Sequence, residues 1–388
     1  MSILNLIAYT LLGVFIFSCL DRSETTTSGD IISDIDFTWN IPDNIPLPVI
    51  PENNSMTEAK FQLGRYLFYD ERLSGNSSQS CSSCHQQDKA FSDGIDLAIG
   101  STGEIHPRNS QSLVNVAYNP TITWANPSLR DLETQIMIPL FGENPIEQGI
   151  TDESLPTVIQ RLKEEAIYDE LFVAAFPNDS EHYTTEQIVK AIACFVRALT
   201  SFNSPYDQFL AGDETAISAS ALRGRDLFFS ESLECFHCHG GYNFTDSVMD
   251  RTMTFIERPF HNTGLFNIDG NGDYPDDNQG VFEITGDPDD RGKFRAVTLR
   301  NVAVSAPFMH DGSIATLDEV LDFYSDGGRN ITSGPNQGDG RLNPLKDGFV
   351  TGFSLSEEER SDVVSFLESL TDSTFIENSR FQNPWNSN

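Results

Sequence analysis

Cys81-Ser82-Ser83-Cys84-His85 and Cys235-Phe236-His237-Cys238-His239 are the residues best placed to do chemistry in this chain. In a C-x-x-C-H run two thiols can add across the two vinyl groups of a haem from one side, and the imidazole that follows reaches the iron. Chance placement of 6 Cys and 7 His over 388 residues would give about 0.002 such pentapeptides, so two copies point to two covalently held c-type haems. A zinc knuckle would need further Cys or His at short spacing, and a thiol redox pair has no use for the His. His85 and His239 are therefore the expected iron ligands, and Cys81, Cys84, Cys235 and Cys238 the attachment points.

Two haems need two scaffolds, and the chain is long enough for both. Thr57-Glu58 reads as the cap and acidic first turn of a helix with Leu63, Tyr66 and Leu67 on its face, which delivers the chain to the first motif. Helical patterns follow at about 129–140, 152–165 and 184–200, the last with a stripe of Ile188, Ile192, Phe195, Val196 and Leu199. Asn203-Ser204-Pro205 breaks the pattern, and a new helix from about Ser218 to Phe229 leads into the second motif. Two more patterns, at about 316–324 and 355–370, close the chain, and no strand run dominates. Asp269, Asn271 and Asp273 are spaced like a calcium loop, but Tyr274 stands where such a loop needs Gly, so an ordinary acidic loop is expected. The expected fold is mainly α, with two c-type cytochrome-like haem domains packed against each other at 56–210 and 211–375, and a tail at 376–388.

Residues 3–17 are apolar, too short a run to span a bilayer comfortably, and end in Ser18-Cys19. This reads as an export signal over 1–19. A small residue before Cys is similar to the lipobox of bacterial lipoproteins, which makes Cys19 a candidate lipid anchor; plain cleavage and an uncleaved anchor are the alternatives, because the basic n-region is missing. Residues 20–55 read as a flexible tether and extended lead-in. A net charge of -34 argues against nucleic acid and anionic membrane surfaces as partners and suits a neutral or basic protein. The expected address is the periplasm or cell envelope, where c-type haem is attached. Cys194, in a helical apolar pattern, is expected to be an inert core residue.

Leu73-Ser74-Gly75-Asn76, Phe91-Ser92-Asp93-Gly94, Arg108-Asn109, Asn115-Val116-Ala117-Tyr118, Leu299-Arg300-Asn301-Val302 and Pro307-Phe308-Met309-His310-Asp311-Gly312 complete the pattern. With the two haem motifs, the chain resembles the bacterial di-haem cytochrome c peroxidases and the related MauG enzymes over roughly residues 40–370. The resemblance implies an oxidoreductase that reduces hydrogen peroxide to water at the first haem, with the second haem relaying or storing oxidising equivalents. It also implies either a small electron donor, a cytochrome c or cupredoxin, or, as in MauG, a protein substrate whose residues are oxidised. A di-haem electron-transfer cytochrome without peroxide chemistry is the competing class.

By the same resemblance Glu147 matches the distal acid-base carboxylate, Gln135 the distal amide, and Trp124 the indole between the haems, although Ala125-Asn126-Pro127-Ser128 replaces the usual Asp-Gly-Arg after it. Ser101 stands where reductively activated members carry a removable His. His106, five residues on, could be a shifted ligand or a loop or propionate contact. Tyr324 stands where those members carry the second haem's Met. A phenolate would favour ferric iron and lower the potential; Met309 or Met253 are the alternative ligands. Asn109, Ser305 and Pro307 match an interdomain calcium site, and His310 is expected to order the second haem's surroundings.

Overall fold

The computed structural model describes residues 37–386, so the apolar run, Cys19 and the tether up to residue 36 lie outside the described residues. Helices dominate, as expected: α1 (Glu58–Phe68), α2 (Cys81–Cys84), α3 (Leu132–Phe141), α4 (Leu155–Lys163), α5 (Ile167–Ala175), α6 (Thr185–Arg197) and α7 (Pro205–Leu210) come first. They are followed by α8 (Ala219–Phe228), α9 (Cys235–His239), α10 (Phe282–Thr285), α11 (Leu317–Ser325), α12 (Glu357–Glu368) and α13 (Ser373–Ile376). The strands described are the two-residue pair β1 (Asn330–Ile331) and β2 (Gly338–Asp339), which run antiparallel. Among the described residues, no helix is long and apolar enough to cross a membrane.

The chain is built twice from one pattern. A helix precedes each C-x-x-C-H motif, and it crosses a later helix through a glycine: α1 crosses α6 at Gly64, and α8 crosses α12 at Gly224. A Cβ on Gly64 would stand 1.9 Å from the carbonyl oxygen of Ala191, and one on Gly224 1.8 Å from that of Asp362, so these backbones approach only because a side chain is missing. The crossing residues repeat in sequence as Gly64-Arg65-Tyr66-Leu67-Phe68 and Gly224-Arg225-Asp226-Leu227-Phe228. The later helix of each pair, α6 or α12, opens on a capping box, Thr184 with Gln187 and Ser356 with Glu359.

A second repeated element, Leu113-Val114-Asn115-Val116-Ala117 and Leu299-Arg300-Asn301-Val302-Ala303, places a buried Asn with left-handed backbone (φ 54° and 60°) before a single 3₁₀ turn. Asn115 N donates to Leu199 O and Asn301 N to Leu370 O, just beyond α6 and α12 respectively. Their side chains then meet. Asn115 Oδ1 accepts from Ser201 N (2.8 Å), Asn301 Nδ2 donates to Ser201 Oγ (2.9 Å), and Ser201 Oγ donates to Asp372 Oδ2 (3.0 Å). This buried network joins the two halves.

The first core gathers α1, α3, α4, α5 and α6, and the second gathers α8 and α12 with Tyr206, Phe244 and Leu321. Cys194 is fully buried in the first, as expected. Two expectations change. The stretch set apart as a tail, 376–388, folds back: Phe381 joins the first core, as does Phe375 just before it, and the Trp385 ring packs edge-on to Tyr66. The lead-in packs as well, with Phe37 against Phe61, Pro46 O accepting from Tyr118, and Pro48 O accepting from Arg251. Aromatic side chains in both segments gain roughly 2–3 kcal/mol each from burial, which holds these ends down.

Replacing Gly224 by Ala forces a methyl group into the Asp362 carbonyl. We expect the loaded protein to lose about 1–3 kcal/mol or more of stability. Thermal unfolding checks this, and a melting temperature equal to the parent's would show that the α8–α12 crossing is not constrained there.

Candidate haem and peroxide site

Each C-x-x-C-H helix ends by pinning its imidazole from behind. His85 Nδ1 lies 2.8 Å from the carbonyl oxygen of Phe91, and His239 Nδ1 3.2 Å from that of Phe244; both Phe residues have left-handed backbone, which turns the carbonyl back toward the ring. With Nδ1 engaged, the other ring nitrogen is the one free to bind a metal. Burial holds both imidazoles below the ordinary histidine range, so they are neutral, as a ligand must be. Burial also pushes the thiols of Cys81, Cys84 and Cys235 up to about 12. A redox pair works by the opposite shift, toward thiolate, so the environment argues against that reading.

Cys81, Cys84 and His85 line a cavity of about 320 Å³, walled by apolar groups that include Phe68, Ile136, Leu140 and Val196. A large apolar hollow beside two thiols and a neutral imidazole suits a covalently attached haem. Glu147, Gln135, His106 and Trp124 line the same hollow, so the sequence-derived residues of the first site are brought together. Ser101 is not among its walls; its backbone N–H donates to the Glu147 carbonyl instead (2.8 Å).

Glu147 is held by its backbone on both sides. Gln148 N donates to Pro139 O at the end of α3 (2.9 Å), Gly75 N to Gln148 O (2.8 Å), and Ile146 N to the Glu104 carboxylate (2.9 Å). Gly100 allows the close pass, since a Cβ there would sit 1.8 Å from Ile146 O. About a third of the Glu147 side chain is accessible, but its carboxyl opens into the cavity, and that burial pushes its pKa up to about 7. His106 Nδ1 stands 3.9 Å from it. Gln135 projects from α3, and its Oε1 is buried without a protein partner. The helix that carries it is fixed by the Glu133 carboxylate, which accepts from Arg197 of α6 (2.7 Å).

Tyr324, on α11, packs within the third apolar cluster beside Phe323. Burial, and then the nearby thiols of Cys238 and Cys235, raise its phenol well above the ordinary range. Only a cation at bonding distance would make it a phenolate. Met253 lies at the surface, 37% exposed, whereas Met309 lines a small second cavity of about 70 Å³ with Trp124. Asn109, Ser305 and Pro307 line that small cavity too, so the three expected calcium ligands are brought to one place. The Asn109 amide nitrogen is spent on the Ile95 and Asp96 carbonyls (2.8 and 3.2 Å), so its oxygen is the side-chain atom left for another partner. Trp124 borders both cavities, its Nε1 donating to Asn109 O (2.9 Å). His310 is buried and stacked on Phe294 at 3.6 Å, in line with a role in ordering its surroundings.

Two groups were missed in the sequence. His261 is clamped by Asp246 at Nε2 and Asp347 at Nδ1, each at 2.7 Å; burial alone would lower its pKa, but the Asp246 bond, the neighbouring Cys238 thiol and the Asp347 bond together raise it to about 11. Arg295 is buried at the boundary of the two cavities. Neither carries a local signal, because the partners lie 15 to 184 residues away. In the Asp269 loop the carboxylate accepts from the backbone N–H groups of Asn271 and Asp273.

A family model for the di-haem cytochrome c peroxidases matches residues 58–215. Cytochrome-c peroxidase IdrP1 of Denitromonas iodatirespirans is 36% identical over 343 residues, 84% of this chain and 85% of that protein. Methylamine utilization protein MauG of Methylorubrum extorquens is 33% identical over 329 residues, 85% and 82% of the two chains. Among solved structures, a MauG-like protein associated with microbial copper homeostasis is 50% identical, with a TM-score of 0.88 over 90% of this chain and 99% of that one. The diheme peroxidase BthA of Burkholderia thailandensis, 19% identical, shares the fold with a TM-score of 0.63 over 86% and 97%.

Proposed function

The chain belongs to the di-haem cytochrome c peroxidase family, peroxidase oxidoreductases that act on hydrogen peroxide, and on that premise we propose that it spends peroxide to oxidise residues of a partner protein. The observation that carries this reading is Tyr324, a buried phenol facing the second motif's thiols where the reductively activated members place a Met. In this reading Cys81 and Cys84 would hold one c-type haem, with His85 as an iron ligand, and Cys235 and Cys238 the other, with His239 and Tyr324 as iron ligands. The domains are 56–210, completed by the C-terminal segment, and 211–375. Asn109, Ser305 and Pro307 hold a calcium ion between them.

A haem supplies an iron that can give up electrons to peroxide. The rest is the work of side chains. Glu147, poised near neutrality, takes a proton from one peroxide oxygen and returns it to the other, so that the departing group is water rather than hydroxide. Gln135, with its amide oxygen unpaired in the same hollow, orients the peroxide. Two electrons and two protons turn one peroxide into two waters. Trp124, bordering both cavities, carries charge between the halves.

The likeness to a MauG-like protein associated with copper homeostasis makes proteins of copper handling the first partners to try. A second reading, in which a small cytochrome c or cupredoxin feeds electrons singly and detoxification is the purpose, is favoured by the 36% identical relative named cytochrome-c peroxidase. In either reading the enzyme works in the periplasm or cell envelope, exported by residues 1–19 and anchored through Cys19.

Glu147→Gln is expected to slow peroxide cleavage about 10²-fold or more. In the parent the rate should rise with pH through about 7, as the carboxyl becomes the base, and this limb should vanish in the variant. Stopped-flow mixing with peroxide from pH 5 to 9 measures both, and unchanged kinetics would remove Glu147 from the chemistry. Tyr324→Met should raise the second haem's midpoint potential, since a thioether favours ferrous iron. A redox titration that shows no shift would mean that Tyr324 does not bind iron.

A further inference from the structure

Among the described residues the buried arginines are matched by carboxylates, with one exception. Arg197 is held by Glu133 at 2.7 Å and Arg300 by Asp207 at 2.8 Å. Arg295 is 4% exposed, yet no carboxylate among the described residues lies within ion-pair distance of it. Its Nε donates to Thr123 O (3.2 Å) and its Nη2 to the Gln111 side chain, while Nη1 is buried with no partner. The charge nearest in effect is Asp246, whose Oδ2 is taken by His261 and whose Oδ1, though without a partner, is not within ion-pair distance of Arg295. A buried cation left unpaired in a chain with 58 acidic residues is costly, and an anion from outside the polypeptide would remove that cost.

We propose that this anion is a haem carboxylate, and that Arg295 Nη1 ties one propionate to the segment that carries Trp124. The guanidinium borders both cavities, and each haem brings two carboxylates. Guanidinium and carboxylate match in charge and donor geometry. The tie reaches Trp124 directly, because Arg295 N donates to Trp124 O at 2.8 Å. Arg295 is thus a positioning residue that keeps the indole in register with a cofactor edge. The inference rests on the haem reading above.

The test uses the loaded protein with Arg295→Gln and Arg295→Lys. Covalent haem content comes first: two haems per chain are expected in all three proteins, and a parent without haem would overturn the haem reading and this inference with it. A fixed positive charge beside a haem favours the ferrous form, so the Gln variant should show a lower midpoint potential for one haem, and the Lys variant should restore most of it. Which haem moves identifies the source of the carboxylate. With two haems present, potentials and paramagnetic resonance signals that match the parent in both variants would overturn the proposal. Should the Gln variant fail to accumulate, resonance Raman decides it on the Lys variant. A shifted propionate band supports the tie, and an unmoved one overturns it.

Discussion

The relative placement of the two halves depends on one buried knot of hydrogen bonds. Asn115 and Asn301 sit in left-handed backbone, which asparagine tolerates better than larger residues, and their amides close on Ser201, Asn243 and Asp372. A buried polar group left without a partner costs on the order of 1–3 kcal/mol, so the knot is stable only when every member is in place. It therefore specifies one docking geometry. The positions of both C-x-x-C-H helices, and of Trp124 between the cavities, follow from it.

Within that frame burial sets the charge state of each working group. It keeps His85 and His239 neutral and ready to bind metal, keeps Tyr324 protonated until a cation claims it, and brings Glu147 to the range where a carboxyl can both take and give a proton. Five aspartates, Asp70, Asp93, Asp250, Asp362 and Asp372, are buried too, so acid is not confined to the surface. Of the buried arginines described, Arg197 and Arg300 are held by carboxylates, which is why the unpaired Arg295 stands out.

Much of the site was legible because its signals are local. Two pentapeptides named the cofactor, and the longer helices lie close to their periodic patterns, although α5 and the short α7, α10 and α13 were not singled out. The cap at Thr57 is present, its Oγ1 accepting from Lys60 N. The family resemblance picked out Glu147, Gln135 and Trp124, and the fold brings all three to one hollow. What escaped notice is non-local. The twofold repeat is written in short pieces, Gly64 to Phe68 with Gly224 to Phe228 and Asn115 with Asn301, but the spacings between them differ because the second half carries the long insertion between Phe244 and Asn301. Phe381 looks like part of a tail until its partner Phe61, more than 300 residues earlier, is seen against it. The His261 clamp and the orphaned Arg295 are properties of packing, with no sequence motif to announce them.

If the proposed reading holds, the two haems would be unlike: His85 would leave the first iron open to peroxide, while His239 and Tyr324 would both bind the second. An electron paramagnetic resonance spectrum of the diferric protein tests that reading most directly, with one high-spin and one low-spin ferric signal of equal weight expected. Two low-spin signals would contradict it: the first iron would then be capped, by His106 or another side chain, and the protein would be a reductively activated peroxidase or an electron-transfer cytochrome.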